Sequence, residues 1–228
     1  GAGTSLATPV DVALDKTRDL LYVADGSSIL VFATASTING AIPPARTLSP
    51  GFTARAILLD SANDRLFAAD SAGNAIDVYD NVSTLTTGVI TANRIIVGAG
   101  TGLHQPTGLL IDTAGRLIVS NFSPPSITVY SGAATSTGNV APAATISGAT
   151  TTLAGPTQIV LLTANSANDL YVADGLAGGS VPAFTNMATA NGNIAPGRDI
   201  VGANTGLARS GGGTGPAPAT GIALDSTR

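Results

Sequence analysis

Few residues in this chain can do acid–base or metal chemistry. One histidine is present, His104, within the loop sequence GTGLHQP (100–106), and neither cysteine nor glutamate occurs, so all 14 acidic residues are aspartates. A metal-assisted hydrolase commonly draws on two or three imidazoles or on a carboxylate cluster. His104 therefore reads as a polar loop residue, and the sequence predicts no catalytic residue, no metal site and no cofactor.

The aspartates recur in phase. Asp25, Asp70 and Asp174, with Asn121 as their equivalent, close one kind of apolar segment, and Asp15, Asp60, Asp112 and Asp225 close another. A residue needed once per repeat is what a turn demands, because a short carboxylate or amide accepts local backbone N–H groups. The stretches DGSS (25–28) and DSAGN (70–74) carry oxygen ligands that calcium accepts, but neither has the EF-hand pattern. Positions that break the repeat are better candidates for recognition. Asp11, Ala56, Gly108, Gln158 and Gly221 are equivalent, and Val10, Arg55, Thr107, Thr157 and Thr220 precede them. If these segments are strands around one axis, Asp11, Arg55 and Gln158 converge at one mouth and form a candidate ligand-binding site.

The elements that would hold them repeat along the chain. The segments TPVDVALDKTRDLLYVAD (8–25), TARAILLDSANDRLFAAD (53–70), QPTGLLIDTAGRLIVSN (105–121) and GPTQIVLLTANSANDLYVAD (155–174) align, followed by PATGIALDSTR (218–228). Their closing residues at 25, 70, 121 and 174 are spaced by 45, 51 and 53, a length that suits four strands per repeat. Each repeat reads as a hairpin, a third run such as Ile29-Leu30-Val31-Phe32, and a short fourth strand at Arg46–Leu48, Arg94–Val97, Ala144–Ile146 or Arg198–Val201. A Gly/Asn-rich phrase precedes that last strand, as in ANGNIAPGRDIVGANTGL (190–207), and reads as the outer rim of a unit with its connection onward. Pro182 predicts an edge or a bulge. ARSGGGTGPAPAT (208–220) reads as a flexible connection, and its SGGGTG (210–215) has no helix behind it to bind phosphate.

Composition agrees with many short strands: 28 Gly and 13 Pro accompany an apolar supply in which aromatics are only 4% of all residues. The net charge of −4 excludes the basic stripe of a nucleic-acid binder. No apolar run reaches the ~18 residues of a membrane helix, and the sparsely charged Thr/Ser/Gly/Asn-rich surface points to an extracytoplasmic protein.

These repeats resemble NHL-type β-propeller repeats of exported bacterial proteins, on the pattern NGN-AP-R-I-G-TGL followed by ALD and LYVAD. The resemblance covers essentially the whole chain. It implies an all-β propeller of four-stranded antiparallel blades, with repeats at 8–52, 53–104, 105–154 and 155–217, a partial one at 218–228, and about six blades in the full ring, so that both ends look cut from a longer array. It also implies two functional classes. One is a non-enzymatic exported scaffold or recognition module, with self-association of open strand edges into a surface structure or filament as a variant. The alternative is a lyase or lactonase, but such relatives place metal-binding His, Asp, Asn or Glu at the mouth, and this chain lacks the matching histidines.

Overall fold

The computed structural model describes residues 3–163, 168–176, 179–202, 205, 207 and 221–225. The linker expected at 208–220 lies outside them, as do Thr220 and the final residues 226–228. Strands dominate, with short 3-10 turns at Ser61–Asn63, Val82–Thr84, Ala99–Thr101 and Ala149–Thr151. Among the described residues no helix is long and apolar enough to cross a membrane.

Each sequence repeat forms one sheet. Strands β1 (Pro9–Asp15), β2 (Leu20–Asp25), β3 (Ser28–Ala33) and β4 (Arg46–Ser49) form the first, and β5 (Ala54–Asp60), β6 (Arg65–Asp70), β7 (Ala75–Asp80) and β9 (Arg94–Ile96) the second. Strands β10 (Pro106–Ile111), β11 (Leu117–Asn121), β12 (Ser126–Tyr130) and β13 (Ala144–Ser147) form the third, and β14 (Pro156–Leu162), β15 (Asp169–Asp174), β16 (Val181–Phe184) and β17 (Arg198–Ile200) the fourth. All of these pair antiparallel in sequence order. The chain divides into two compact units: Gly1–Gly98 with Ser136–Val140 holds the first two sheets, and Ala99–Thr135 with Ala141–Arg228 holds the last two.

The apolar alternation explains the packing within each unit. Side chains two apart share a face, so Tyr22, Ala24, Ile29, Val31 and Leu48 of the first sheet point one way and meet Ile57, Leu66, Ala68 and Tyr79 of the second. The same arrangement recurs in the other unit, where Ile118, Ile127, Val129 and Ile146 meet Ile159, Leu170, Val172 and Phe184. Sheets covered on both faces need continuous apolar runs, and β11 and β12 are buried at every residue.

The Gly/Asn-rich phrase does more than turn the chain. In the second repeat it forms β8 (Gly88–Val89), which adds in parallel to the outer edge of the first sheet, Gly88 opposite Leu48 and Val89 opposite Ser49. In the third and fourth repeats single parallel bridges do the same, Gly138 to Ile96 and Gly192 to Ile146. The phrase is thus a clasp that grips the fourth strand of the preceding sheet. Its glycines sit at φ +127, +66 and +81, backbone that favours a residue without Cβ.

Pro182 differs from expectation. It stands on β16, an inner third strand with neighbours on both sides, opposite Asp199 of β17. On the other side β15 pairs only through Leu170 and Tyr171, with a separate bridge at Asp174 to Ser180. A proline has no N–H to give, and here the cost is a gap in one ladder rather than an edge position.

Candidate functional site

The head of each first strand is where sequence reasoning placed recognition. Asp11 has its two carboxylate oxygens on backbone amides: Oδ1 accepts from Val12 at 2.8 Å, and Oδ2 accepts from Ile57 of the second sheet at 2.8 Å. Burial pushes its carboxyl up, opposed by those two amides and by the charge of Arg55. Gln158 repeats the arrangement in the other unit, its Oε1 accepting from the Ile222 amide at 2.9 Å. Ile57 and Ile222 occupy the same position of the repeat. The side chain heading one first strand therefore latches the backbone at the equivalent position of the next repeat, on β5 for Asp11 and on the segment 221–225 for Gln158.

The third sheet makes this seam without a side chain at the equivalent position. An added Cβ at Gly108 would lie 2.7 Å from the Thr157 carbonyl and 2.6 Å from Ser120 Oγ. That close approach lets Thr107 Oγ1 donate to the Pro156 carbonyl at 2.7 Å and Ser120 Oγ to the Thr157 carbonyl at 3.2 Å. Asp11 and Arg55 share the first unit and feel each other's charge, while Gln158 belongs to the second. Arg55 is exposed, and among the described residues its guanidinium takes up no hydrogen bond or ion pair.

The repeating aspartates are engaged locally. Asp25 accepts from the amides of Ala7, at 2.8 Å, and Thr8. Asp174 accepts from Ala154 at 2.6 Å and Gly155 at 2.7 Å, and Asn121 accepts from the His104 amide at 2.9 Å. Each pins the loop that enters its own sheet. Burial nevertheless pushes the Asp174 carboxyl up against its amide bonds. Asp70 departs from this role and accepts instead from Gly73, at 2.8 Å within its own turn. Asp15 and Asp112 close the first hairpins and hold Arg18 at 2.9 Å and Arg116 at 2.6 Å. Those arginines then reach the following sheet, Arg18 donating to the Ser61 carbonyl at 2.9 Å and Arg116 to that of Met187 at 3.0 Å. Among the described residues no three His, Cys, Asp or Glu side chains are grouped to hold a metal ion.

No protein-family model and no curated protein matches the chain. Among solved structures, the crystal structure of RRP9 WD40 repeats is similar, with a TM-score of 0.56 at 12% sequence identity over 78% of this chain and 48% of that one. The fold is a β-propeller. The chain spans about half the length of the propeller it matches, and each four-stranded sheet is a blade. With 560 chains of solved structures matching, the propeller fold leaves function to be argued from the site.

Sequence reasoning picked out Asp11 and Gln158 as departures from the repeat, and the structure gives both of them amide partners at the start of the next repeat. It missed the parallel clasp. The available signal was a glycine at one offset in every phrase, at 40, 88, 138 and 192, with asparagine beside three of them.

Proposed function

We propose that this chain is a non-enzymatic, exported β-propeller that serves as a scaffold or recognition module, with assembly through open strand edges as part of its repertoire. The observation that carries this reading is the use made of the polar side chains at the first-strand heads. Asp11 and Gln158 accept backbone amides of the following repeat, which is a structural task, whereas a general base needs its lone pair free for a substrate proton. Arg55, at the same level of the repeat, has an exposed guanidinium with no hydrogen bond or ion pair among the described residues, suited to carboxylate or other anionic groups of a partner. The wide use of propellers as interaction platforms supports the same choice, as does the sparsely charged surface for a site outside the cytoplasm.

The test is a pair of measurements on the folded chain. Lactone and ester hydrolysis is followed with and without added divalent cations, and wild type is expected to match buffer. Amide exchange is then mapped in the presence of fractionated cell-surface protein and glycan, with new protection expected around Arg55. Metal-dependent turnover that disappears in Asp11→Ala would overturn the reading in favour of an enzyme.

A further inference from the structure

The hairpin of β6 and β7 in the second blade carries two carboxylates where the corresponding hairpins carry at most one. Asp70 ends β6 and lies diagonally across from Asp77 of β7, which pairs with Ala68. Diagonal neighbours on one face of a sheet are within reach of each other. In the third blade the same diagonal holds Asn121 and Thr128, since Thr128 pairs with Val119. There the Asn121 Nδ2 donates to Thr128 Oγ1 at 3.2 Å, with both residues buried. The first and fourth blades have Leu30 and Pro182 in place of Asp77, and their Asp25 and Asp174 are taken up by amides of the entry loops. Asp70 instead accepts the Gly73 amide through one oxygen, Oδ1, at 2.8 Å.

Asp77 is 9% exposed, and its surroundings bring little to hold a charge. Ala68 of β6 and Ile95 of β9 stand opposite it, and Arg94 stands opposite Val78, on the other face. The first blade meets this face with Ala24, Ile29 and Leu48. Among the described residues, Tyr79 and Asp70 are the titratable groups that act on it. Burial and the Asp77 charge push the Tyr79 hydroxyl up, so it keeps its proton and donates to Asp77 Oδ2 at 3.3 Å. One long hydrogen bond is poor compensation for a buried carboxylate beside a second one.

We propose that Asp70 and Asp77 form a proton-gated latch. With a proton on Asp77, its carboxylic acid donates to the Asp70 carboxylate and closes the hairpin mouth as Asn121 and Thr128 close theirs. With that proton lost to solvent, two like charges face each other and the seam between the first two blades loosens. Because burial pushes the Asp77 carboxyl up to about 6, against the Tyr79 hydroxyl and helped by the Asp70 charge, the gate lies in mildly acidic solution. A carboxyl raised above its unfolded value favours the folded seam while protonated. The latch is therefore closed in acid and released as pH rises through that value. This inference is independent of the recognition-module reading and adds a response to acid.

Two measurements on the folded chain are the test. Hydrogen exchange at the amides of β6 and β7, corrected for its intrinsic pH dependence, is compared between pH 5 and pH 7.5. Wild type is expected to be roughly tenfold better protected at the lower pH, and Asp77→Asn to be well protected at both. Carbon-13 shifts of the Asp77 carboxyl follow the proton itself. Their midpoint is expected well above the ordinary carboxylate range of about 4, and Asp70→Asn, which can still accept the Gly73 amide, is expected to lower it by roughly half a pH unit or more. A midpoint within the ordinary range overturns the latch, as does one that Asp70→Asn leaves in place, which would make Asp77 a buried acid titrating alone. A pH dependence of protection that survives whole in Asp77→Asn overturns it as well.

Discussion

The two covered blade cores solve one problem in different ways. At the end of the third strand the second blade has Tyr79 and the fourth has Phe184, both buried against the preceding blade. The phenylalanine needs no partner. The tyrosine places a hydroxyl in an apolar seam, and Asp77, two residues away on the same face, accepts from it at 3.3 Å. The position equivalent to Asp77 is Leu30 in the first blade and Pro182 in the fourth. A buried hydroxyl requires an acceptor, but supplying it as a carboxylate adds an ionisable group to the core of the first unit, and the second unit has no such group at that position. Tyr130 in the third blade shows the neutral solution, donating to the Thr101 carbonyl at 2.6 Å.

The largest expected effect lies in the apolar version. Phe184→Ala removes a fully buried ring and should destabilise the second unit by about 3–5 kcal/mol. Phe32→Ala, at the equivalent position of the first blade, removes a ring that is also buried, at 5% exposure, but in a smaller cluster with Val23 and Leu30, and should cost less, about 2–3 kcal/mol. Hydrogen exchange at the amides of β15 and β2 reads the two separately. Equal losses would mean that the small cluster around Phe32 packs as well as the larger core around Phe184.

Next is the carboxylate in the first unit. Burial pushes Asp77 up to about 6, partly opposed by the Tyr79 hydroxyl, with the Asp70 charge adding to the rise. A carboxyl raised above its unfolded value of 3.8 favours folding only while protonated, so the unfavourable contribution grows between pH 4 and 6 and is full at neutral pH. Asp77→Asn is therefore expected to stabilise the first unit by about 1–3 kcal/mol at pH 7.5, with the gain shrinking toward pH 4. Urea denaturation across that range checks it. A gain that does not vary with pH would assign the effect to packing.

A smaller effect of opposite sign comes from Asp80, which Arg94 holds at 2.7 Å and Arg65 at 2.7 Å. Their hydrogen bonds pull its carboxyl down to about 2. A depressed carboxyl stabilises the fold above its unfolded value, and that contribution is lost as pH falls from about 4 through 2. The pairs touch solvent, so Asp80→Asn should cost about 1 kcal/mol or less at neutral pH. The difference from wild type should vanish in acid, in a denaturation series extended to pH 2.

The strands could be read from the chain because each is an apolar run bounded by turn residues, and four aligned copies fix where each run ends. LLYVAD, RLFAAD, RLIVSN and DLYVAD reveal the second strand more clearly than any one of them would. The clasp was harder to see, since Gly138 pairs with Ile96 and Gly192 with Ile146, partners more than 40 residues away, and a Gly/Asn-rich stretch reads locally as a turn. Asp77 was hidden for a related reason. IDVY alternates like an edge strand with polar residues outward, yet propeller packing buries both faces, and only the neighbouring blade shows that the carboxylate points inward. Asp11 and Gln158 stood out by breaking the repeat, but residue type alone cannot distinguish an acceptor aimed at a ligand from one aimed at the next strand's amide.

That distinction leaves Arg55 as the place where stability and recognition separate. Asp11→Ala should cost about 1 kcal/mol, because it strips a partner from the Ile57 amide. Arg55→Ala removes an exposed guanidinium that takes up no hydrogen bond or ion pair among the described residues, and its effect on stability should stay within ~0.5 kcal/mol. If the first-strand heads recognise an anionic group, Arg55→Ala weakens that binding while the unfolding midpoint stays in place, and Arg55→Lys restores only part of it, since an ammonium lacks the planar fork. A titration with small dicarboxylates, followed by amide shifts at residues 54–57, checks this. Shifts that persist unchanged in Arg55→Ala would move the recognition surface away from the strand heads and toward the blade edges.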